Sequence, residues 1–195
     1  LVNLVSGGLD STLIGVLAKE EGHVLFPLFI DYGQRAAQKE WTTCLRVHND
    51  LALPTPVRMD LSGFGQVILS GLTSTKLDIK ENAFTPGRNL MFLLMGSAYA
   101  FQVNASQLAI GLLSEAASLF PDQGSDFILK SESAIHAALG RHIKITTPLS
   151  DFTKQDVIQL AKNKGVQGTY SCHSGEDSPC GVCISCLEFV SKIGG

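Results

Sequence analysis

The sequence predicts an α/β fold, a doubly wound sheet of about five parallel strands, with a small metal-binding segment at its C-terminal end. Three observations lead there. Short apolar runs alternate with helical stretches of roughly 10–15 residues, a glycine-rich turn joins the first run to the first helix, and four of the five cysteines crowd the C-terminal end.

LVNLV at Leu1–Val5 reads as the first strand, and Thr12–Glu21 as the body of a helix that begins near Asp10–Thr12. VLFPLFI at Val24–Ile30 is the second strand. The helix predicted over Ala36–Leu51 gathers Ala37, Trp41, Cys44, Leu45, His48 and Leu51 on one face. Cys44 and His48 stand four residues apart, a spacing that offers two metal ligands, but a face shared with Trp41 and Leu45 favours packing against the sheet. PVRMD at Pro56–Asp60 is the third strand. Leu61–Phe84, rich in Gly, Ser and Thr, reads as an excursion over the mouth of a site or as a variable loop.

A helix over Asn89–Val103 follows. Its core, LMFLLMGSAYAF at Leu90–Phe101, is interrupted by Gly96 and Ser97 and is shorter than the ~20 residues that span a bilayer, so it reads as a core helix. QLAIG is the fourth strand, Asp126–Leu139 a helix, IKITT the fifth strand and Lys154–Lys164 the last helix. TKQD at Thr153–Asp156 fits a capping box for it. In such sheets the ligand crevice lies at the C-terminal ends of the strands, where the strand order reverses.

The chain has 195 residues, 45% of them hydrophobic, and a net charge of −3. That bounds it to one sizeable core and argues against a long nucleic acid as the main ligand. With no signal-type segment at its start, the expected location is the cytoplasm, with no membrane association. The expected division is 1–165 for a nucleotide-binding catalytic domain and 166–195 for a metal-binding segment.

SGGLDS at Ser6–Ser11 carries the first chemistry. Gly7 and Gly8 let the backbone approach an anion, the following helix offers free amides, and Ser6 and Ser11 add hydroxyls. A glycine turn with a serine cap is the ordinary alternative; the complete motif between strand and helix favours phosphate. The loop lacks the Gly-Lys-Ser/Thr ending of a Walker A loop.

Cys172, Cys180, Cys183 and Cys186 carry the second. Two Cys-x-x-Cys steps share Cys183, and Gly181 suits the turn of a knuckle, so four thiolates converge on a tetrahedral Zn²⁺ of the closed, structural kind. His173 is a possible substitute ligand, although the four sulfurs complete the shell.

SGGLDS resembles the loop of the PP-loop ATP pyrophosphatases, of adenine nucleotide alpha hydrolase-like fold, which cleave ATP between its α- and β-phosphates. The resemblance implies ATP at Ser6, Gly7, Gly8, Asp10 and Ser11, with Asp10 helping to hold Mg²⁺; an ordinary first-turn acid is the alternative for Asp10. Together with DYGQR at Asp31–Arg35, TPGRN at Thr85–Asn89 and CHSGEDSPCGVCISC at Cys172–Cys186, the loop resembles that of the 7-cyano-7-deazaguanine synthase family of the queuosine pathway. That resemblance implies adenylation of the carboxylate of 7-carboxy-7-deazaguanine, ligation to ammonia and dehydration to a nitrile. It places Ser6, Asp10, Ser11, Arg88 and Lys154 in catalysis and Tyr32, Gln34, Arg35, Arg88, Asn89, Glu115 and Asp122 at the substrate, and it implies a homodimer.

The chain departs from the family's pattern in LLSEAASLFPD at Leu112–Asp122, where a polar, Gly-Tyr-containing loop is usual and Glu115 stands as a displaced carboxylate. The linker before TPGRN is short, and Glu188 replaces an arginine usual two residues after the last cysteine. These departures motivate a related ligase that passes the activated acyl group to another amine, such as a protein amine. A reading of a different class is a nucleotide-binding regulatory module without turnover.

Overall fold

The structure, a computed structural model, describes residues 1–114 and 119–190. Strands β1 (Val2–Val5), β2 (Phe26–Asp31), β3 (Val57–Asp60), β4 (Gln107–Ala109) and β5 (Lys144–Thr146) form a five-stranded sheet in the order β3-β2-β1-β4-β5. All four pairings are parallel. The helices are α1 (Leu9–Glu20), α2 (Ala37–Asp50), α3 (Gly63–Val67), α4 (Arg88–Gln102), α5 (Ser125–Leu139), α6 (Lys154–Asn163) and α7 (Ile184–Val190). Among the described residues, no helix is long and apolar enough to cross a membrane.

Alternation along the strands sorts the core into two layers. Val2, Leu4, Leu28, Ile30 and Leu108 pack with Leu93 and Ala100 of α4 and Ile135 of α5. On the opposite face Ala109 joins Leu13 and Ile14 of α1 and Val157 of α6, while Val5 and Phe29 meet Cys44 and Trp41 of α2. Burial on both faces is why the central β1 and β2 read as nearly continuous apolar runs. Asn3 of β1 is the polar exception: fully enclosed, it donates from Nδ2 to the Ser11 carbonyl at 3.1 Å and so ties the start of α1 to the central strand.

Strand order reverses between β1 and β4, so the loops that follow those two strands part and leave the crevice at their C-terminal ends. Cys44 and His48 pack as the amphipathic pattern suggests. Cys44 is sealed against Val5 and Phe29, and the His48 ring lies 2.7 Å from the Pro54 carbonyl.

Two helices, α3 and α7, have no clear signal in the sequence pattern. α3 lies inside the turn-rich Leu61–Phe84 stretch, where few apolar residues signal a helix. That stretch folds back on the end of β2: the Gly65 amide donates to the Tyr32 carbonyl at 2.8 Å and the Arg35 amide to the Leu72 carbonyl at 2.8 Å. α7 starts within the cysteine cluster, where the ligand spacing hides its periodicity. α1 begins at Leu9, earlier than expected, because Gly8 is its extended N-cap. In α4 one face is buried by Leu93, Gly96 and Ala100, whereas Leu90 and Phe101 are exposed.

Gly7 has a left-handed backbone (φ +75°), and a Cβ there would lie 2.8 Å from the Glu40 carbonyl oxygen and the Cys44 nitrogen. These are backbone atoms of α2, which cannot move aside as a side chain would. Gly22 has a similar φ of +79° but nothing within 4 Å. Gly7→Ala is therefore expected to destabilise the chain by about 2 kcal/mol or more, and Gly22→Ala by the left-handed penalty of about 1 kcal/mol alone. Thermal melting checks this, each kcal/mol shifting Tm by about 2–4 °C at this size. Equal losses for the two variants would remove the packing explanation.

Candidate active site

The crevice is a cavity of about 310 Å³, within the range of small-molecule sites. One end is built on the β1–α1 loop. Gly8, the N-cap of α1, has no side-chain cap of its own. Instead the Gly8 amide donates to Ser6 Oγ at 3.2 Å, the Ser6 amide to Ser11 Oγ at 3.2 Å, and the Leu9 amide to Ser171 Oγ at 3.4 Å. Hydroxyls thus gather on the amides that open α1, the end of a helix where partial positive charge favours an anion.

Lys154, at the first turn of α6, stands behind this end rather than on the cavity wall, on a helix that packs beside α1 on the same face of the sheet. The capping box is present, with the Asp156 amide on Thr153 Oγ1 at 3.3 Å and the Thr153 amide on Asp156 Oδ2 at 2.9 Å. It fixes the helix start, and the Lys154 ammonium then donates to both oxygens of Asp10 at 2.8 and 2.9 Å. Glu188 of α7 stands 3.3 Å from the same nitrogen. Lys154 is only 11% exposed, so these charges are weakly screened. Burial raises the Glu188 carboxyl above its ordinary pKa, the Lys154 charge opposes that, and Asp10 adds to it.

The other end is built on β2 and the start of α4. Gln34 accepts the Tyr32 amide on Oε1 at 2.9 Å and donates from Nε2 to Glu40 Oε2 at 2.9 Å. Burial pushes the Glu40 carboxyl up to about 7; the hydrogen bond from Gln34 and the charge of Arg88 oppose it, and Asp31 reinforces it. The Arg88 guanidinium lies 5.8 Å from the ring centres of both Tyr32 and Phe92, whose rings meet nearly edge-on. The His173 side chain is half-buried, and its enclosed Nδ1 has no hydrogen-bond partner among the described residues. Burial, then the Arg88 charge, brings it down to about 4, so it is neutral near pH 7.

Of the residues expected at a substrate, Tyr32, Gln34, Arg88 and Asn89 line this cavity. Arg35 does not: its guanidinium points to the Leu61–Phe84 excursion and donates to the Gly71 carbonyl at 3.3 Å. Asp122 is not on the wall either; its carbonyl accepts Asn89 Nδ2 at 2.9 Å, which anchors the loop before α5. Glu115 lies outside the described residues. Its neighbours Leu119 and Phe120 reach the cavity, with their amides held by Gln123 Oε1 at 2.7 and 2.9 Å.

Sequence reasoning passed over Glu40, Gln123 and the cavity role of His173, and it noted Glu188 only as a departure. Glu40 left one signal, an acidic side chain among Ala37, Trp41 and Cys44 on the apolar face of α2.

Against the loop lies the cysteine segment. The Tyr170 amide donates to the Gly7 carbonyl at 2.9 Å, and Cys172, Cys183 and Cys186 pack with Tyr170 and Ala36. The four sulfurs lie within 4.8 Å of one another, close to the edge of about 3.8 Å that a tetrahedral site with ordinary Zn–S bonds requires. Amides of Cys180, Cys183 and Cys186 point at sulfurs of Cys172, Cys180 and Cys183 at 3.3–3.4 Å, and Gly181 turns with φ +73°. Amide donors at sulfur stabilise thiolates, so the cluster fits a metal ion.

The Glu40 environment has a consequence for stability. Between about pH 4.5 and about 7 the folded chain keeps a proton that the unfolded chain has released, so Glu40 makes stability fall as pH rises through that window. Glu40→Gln removes that dependence. Melting of both proteins from pH 5 to pH 8 is expected to show the variant gaining relative to the wild type, and a constant difference would mean an ordinary carboxyl.

The chain matches the family described as Queuosine biosynthesis protein QueC over residues 1–189. It is 36% identical to a 7-cyano-7-deazaguanine synthase of Nitratiruptor sp. over 95% of this chain and 89% of that protein. It is 38% identical to one of Prochlorococcus marinus, with the same coverage. Among solved structures, NMN synthetase from Francisella tularensis aligns over 91% of this chain and 68% of its own, with a TM-score of 0.57 and 18% identity. A 4-thiouridine synthetase, solved as an RNA complex with bound ATP, aligns over 85% of this chain and 40% of its own, with a TM-score of 0.55 and 19% identity. The two structures share the fold, a parallel sheet of the PP-loop type, and the sequence match over nearly the whole chain carries the rest: this protein belongs to the QueC family.

Proposed function

We propose that the chain is an ATP-dependent 7-cyano-7-deazaguanine synthase acting on 7-carboxy-7-deazaguanine and ammonia. The observation that carries the reading is one cavity with two differently built ends. The β1–α1 loop with Asp10 and Lys154 suits a polyphosphate, and the Tyr32, Glu40 and Arg88 end suits a flat heterocycle.

In this reading a substrate carboxylate oxygen attacks the α-phosphorus of ATP, the bond to the β-phosphate oxygen breaks, and pyrophosphate leaves. Ammonia adds to the acyl carbon, AMP departs and a proton is lost, giving the amide. The amide oxygen then attacks the α-phosphorus of a second ATP with loss of pyrophosphate, and departure of AMP with both nitrogen protons leaves the nitrile. The loop amides and Lys154 stabilise charge on the leaving pyrophosphate, and Arg88 orients the carboxylate. Asp10 would hold Mg²⁺, which supplies further charge neutralisation at the phosphates. That role requires Lys154 to exchange its Asp10 contacts for phosphate oxygens, with Glu188 as the partner that keeps the ammonium in place.

Incubation with 7-carboxy-7-deazaguanine, ATP, Mg²⁺ and ammonia is expected to give the cyano product by mass spectrometry, with the amide transient. Asp10→Asn is expected to lower pyrophosphate release at least about tenfold, the worth of one charge-assisted contact made in the transition state. Accumulation of a stable amide without nitrile, or unchanged release by the variant, would overturn the assignment.

Cys172, Cys180, Cys183 and Cys186 would hold one structural Zn²⁺ in segment 166–195, beside the nucleotide-binding 1–165. Because metal binding free energy becomes folding free energy, metal analysis is expected to give about one zinc per chain. Cys183→Ser is expected to lose the zinc and melt lower. Metal-free protein with unchanged melting would refute this.

A further inference from the structure

Of the acidic side chains on the cavity wall, Asp10 and Glu188 are tied to Lys154, and Glu40 is not. Glu40 Oε2 accepts Gln34 Nε2 at 2.9 Å, while Oε1 takes no hydrogen bond from the described residues. Arg88 faces the same space without an ion pair to Glu40, its Nε donating instead to Asn89 Oδ1 at 3.3 Å. A carboxyl with a free oxygen, held by an amide and flanked by Tyr32, Phe92 and the Arg88 guanidinium, is a recognition group for a flat ring with N–H donors.

We infer that Glu40 is the specificity residue for the heterocycle: its carboxylate accepts the paired N–H donors, lactam N–H and exocyclic amine, of the deazapurine's aminopyrimidinone edge. This rests on the proposed function. The chemistry separates the two rings that enter the site. An ionised carboxylate only accepts, and so matches an edge carrying two adjacent donors; the adenine edge carries one donor beside one acceptor and leaves a lone pair facing the carboxylate. Gln34, engaged with the Tyr32 amide, fixes the carboxylate plane and so acts as a positioning residue.

Glu40 is faced by Asp31 and Tyr32 at the end of β2, by Arg88 on α4 and by the Cys44 thiol on its own helix. In the free protein its carboxyl is raised to about 7, and two N–H donors from a ligand favour the charged form. Binding therefore expels a proton near neutral pH.

Calorimetric titration of the full chain with 7-carboxy-7-deazaguanine, in buffers of different ionisation enthalpy, reads that proton directly. The wild type is expected to release it. Glu40→Gln is expected to abolish the release and weaken deazapurine binding at least about tenfold, leaving the KM for ATP unchanged. The analogue lacking the 2-amino group is expected to bind the wild type at least about tenfold more weakly than the substrate. That arm needs no variant, and so stands if Glu40→Gln fails to fold. A rise confined to the KM for ATP would move Glu40 to the nucleotide and overturn the inference, as would a wild type that binds both ligands equally without releasing a proton. If wild type and variant bind and turn over alike, this inference alone fails. A wild type that neither binds the deazapurine nor releases pyrophosphate overturns the proposed function, and this inference with it.

Discussion

Everything at the site depends on the close passage of backbone at Gly7. Without a side chain and with φ at +75°, this residue lets the end of β1 lie directly on the backbone of α2 at Glu40 and Cys44. Its carbonyl also accepts the Tyr170 amide. Three segments far apart in sequence are thereby locked to one residue: the loop that opens α1, the helix that carries Glu40, and the loop that leads into the cysteines. The Ser171 hydroxyl on the Leu9 amide is a direct result, because Tyr170 has already brought that run against the loop. A glycine that looks adapted to an anion is, in the first instance, adapted to a helix.

Charge is arranged differently at the two ends of the cavity. At the loop end, Lys154 lies between Asp10 and Glu188 with little exposure, so each charge has a nearby opposite and none is isolated in a poorly solvated place. Across the cavity Asp31, off the wall, pairs with Arg58 at 2.6 Å, while Glu40 has no ion pair among the described residues. There the energy of burial falls on single groups: it raises the Glu40 carboxyl and the Tyr32 phenol and lowers the His173 imidazole, all towards the neutral form. A triphosphate, which brings its own charge and cations, suits the paired end.

α7 connects the cysteine cluster to this pattern. Cys186 and Glu188 are on the same short helix, and the Phe189 ring lies 5.0 Å from the Lys154 ammonium. Metal ligation would set the position of α7, and α7 in turn sets one of the two carboxylates around Lys154. The cysteine cluster can thus bear on the Lys154 end of the cavity through α7.

What the sequence by itself determined is what local pattern determines. Two-sided apolar strands, helices with one apolar face, the strand–glycine–helix turn and the cysteine spacing are each written within a few residues, and they sufficed for the parallel sheet, the crevice at the reversal of strand order and the four-sulfur cluster. The tertiary structure decided which side chains meet. Lys154 and Asp10 pair across 144 positions. Arg35 turns away from the cavity because the Gly71 carbonyl lies on its other side, and Asn89 serves the loop at Asp122. Glu40 looks in sequence like one more charge on an amphipathic helix. Its solvent exposure and the charges around it are set by Gly7, Gln34 and Arg88, and these come from other elements, so no periodicity along α2 encodes them.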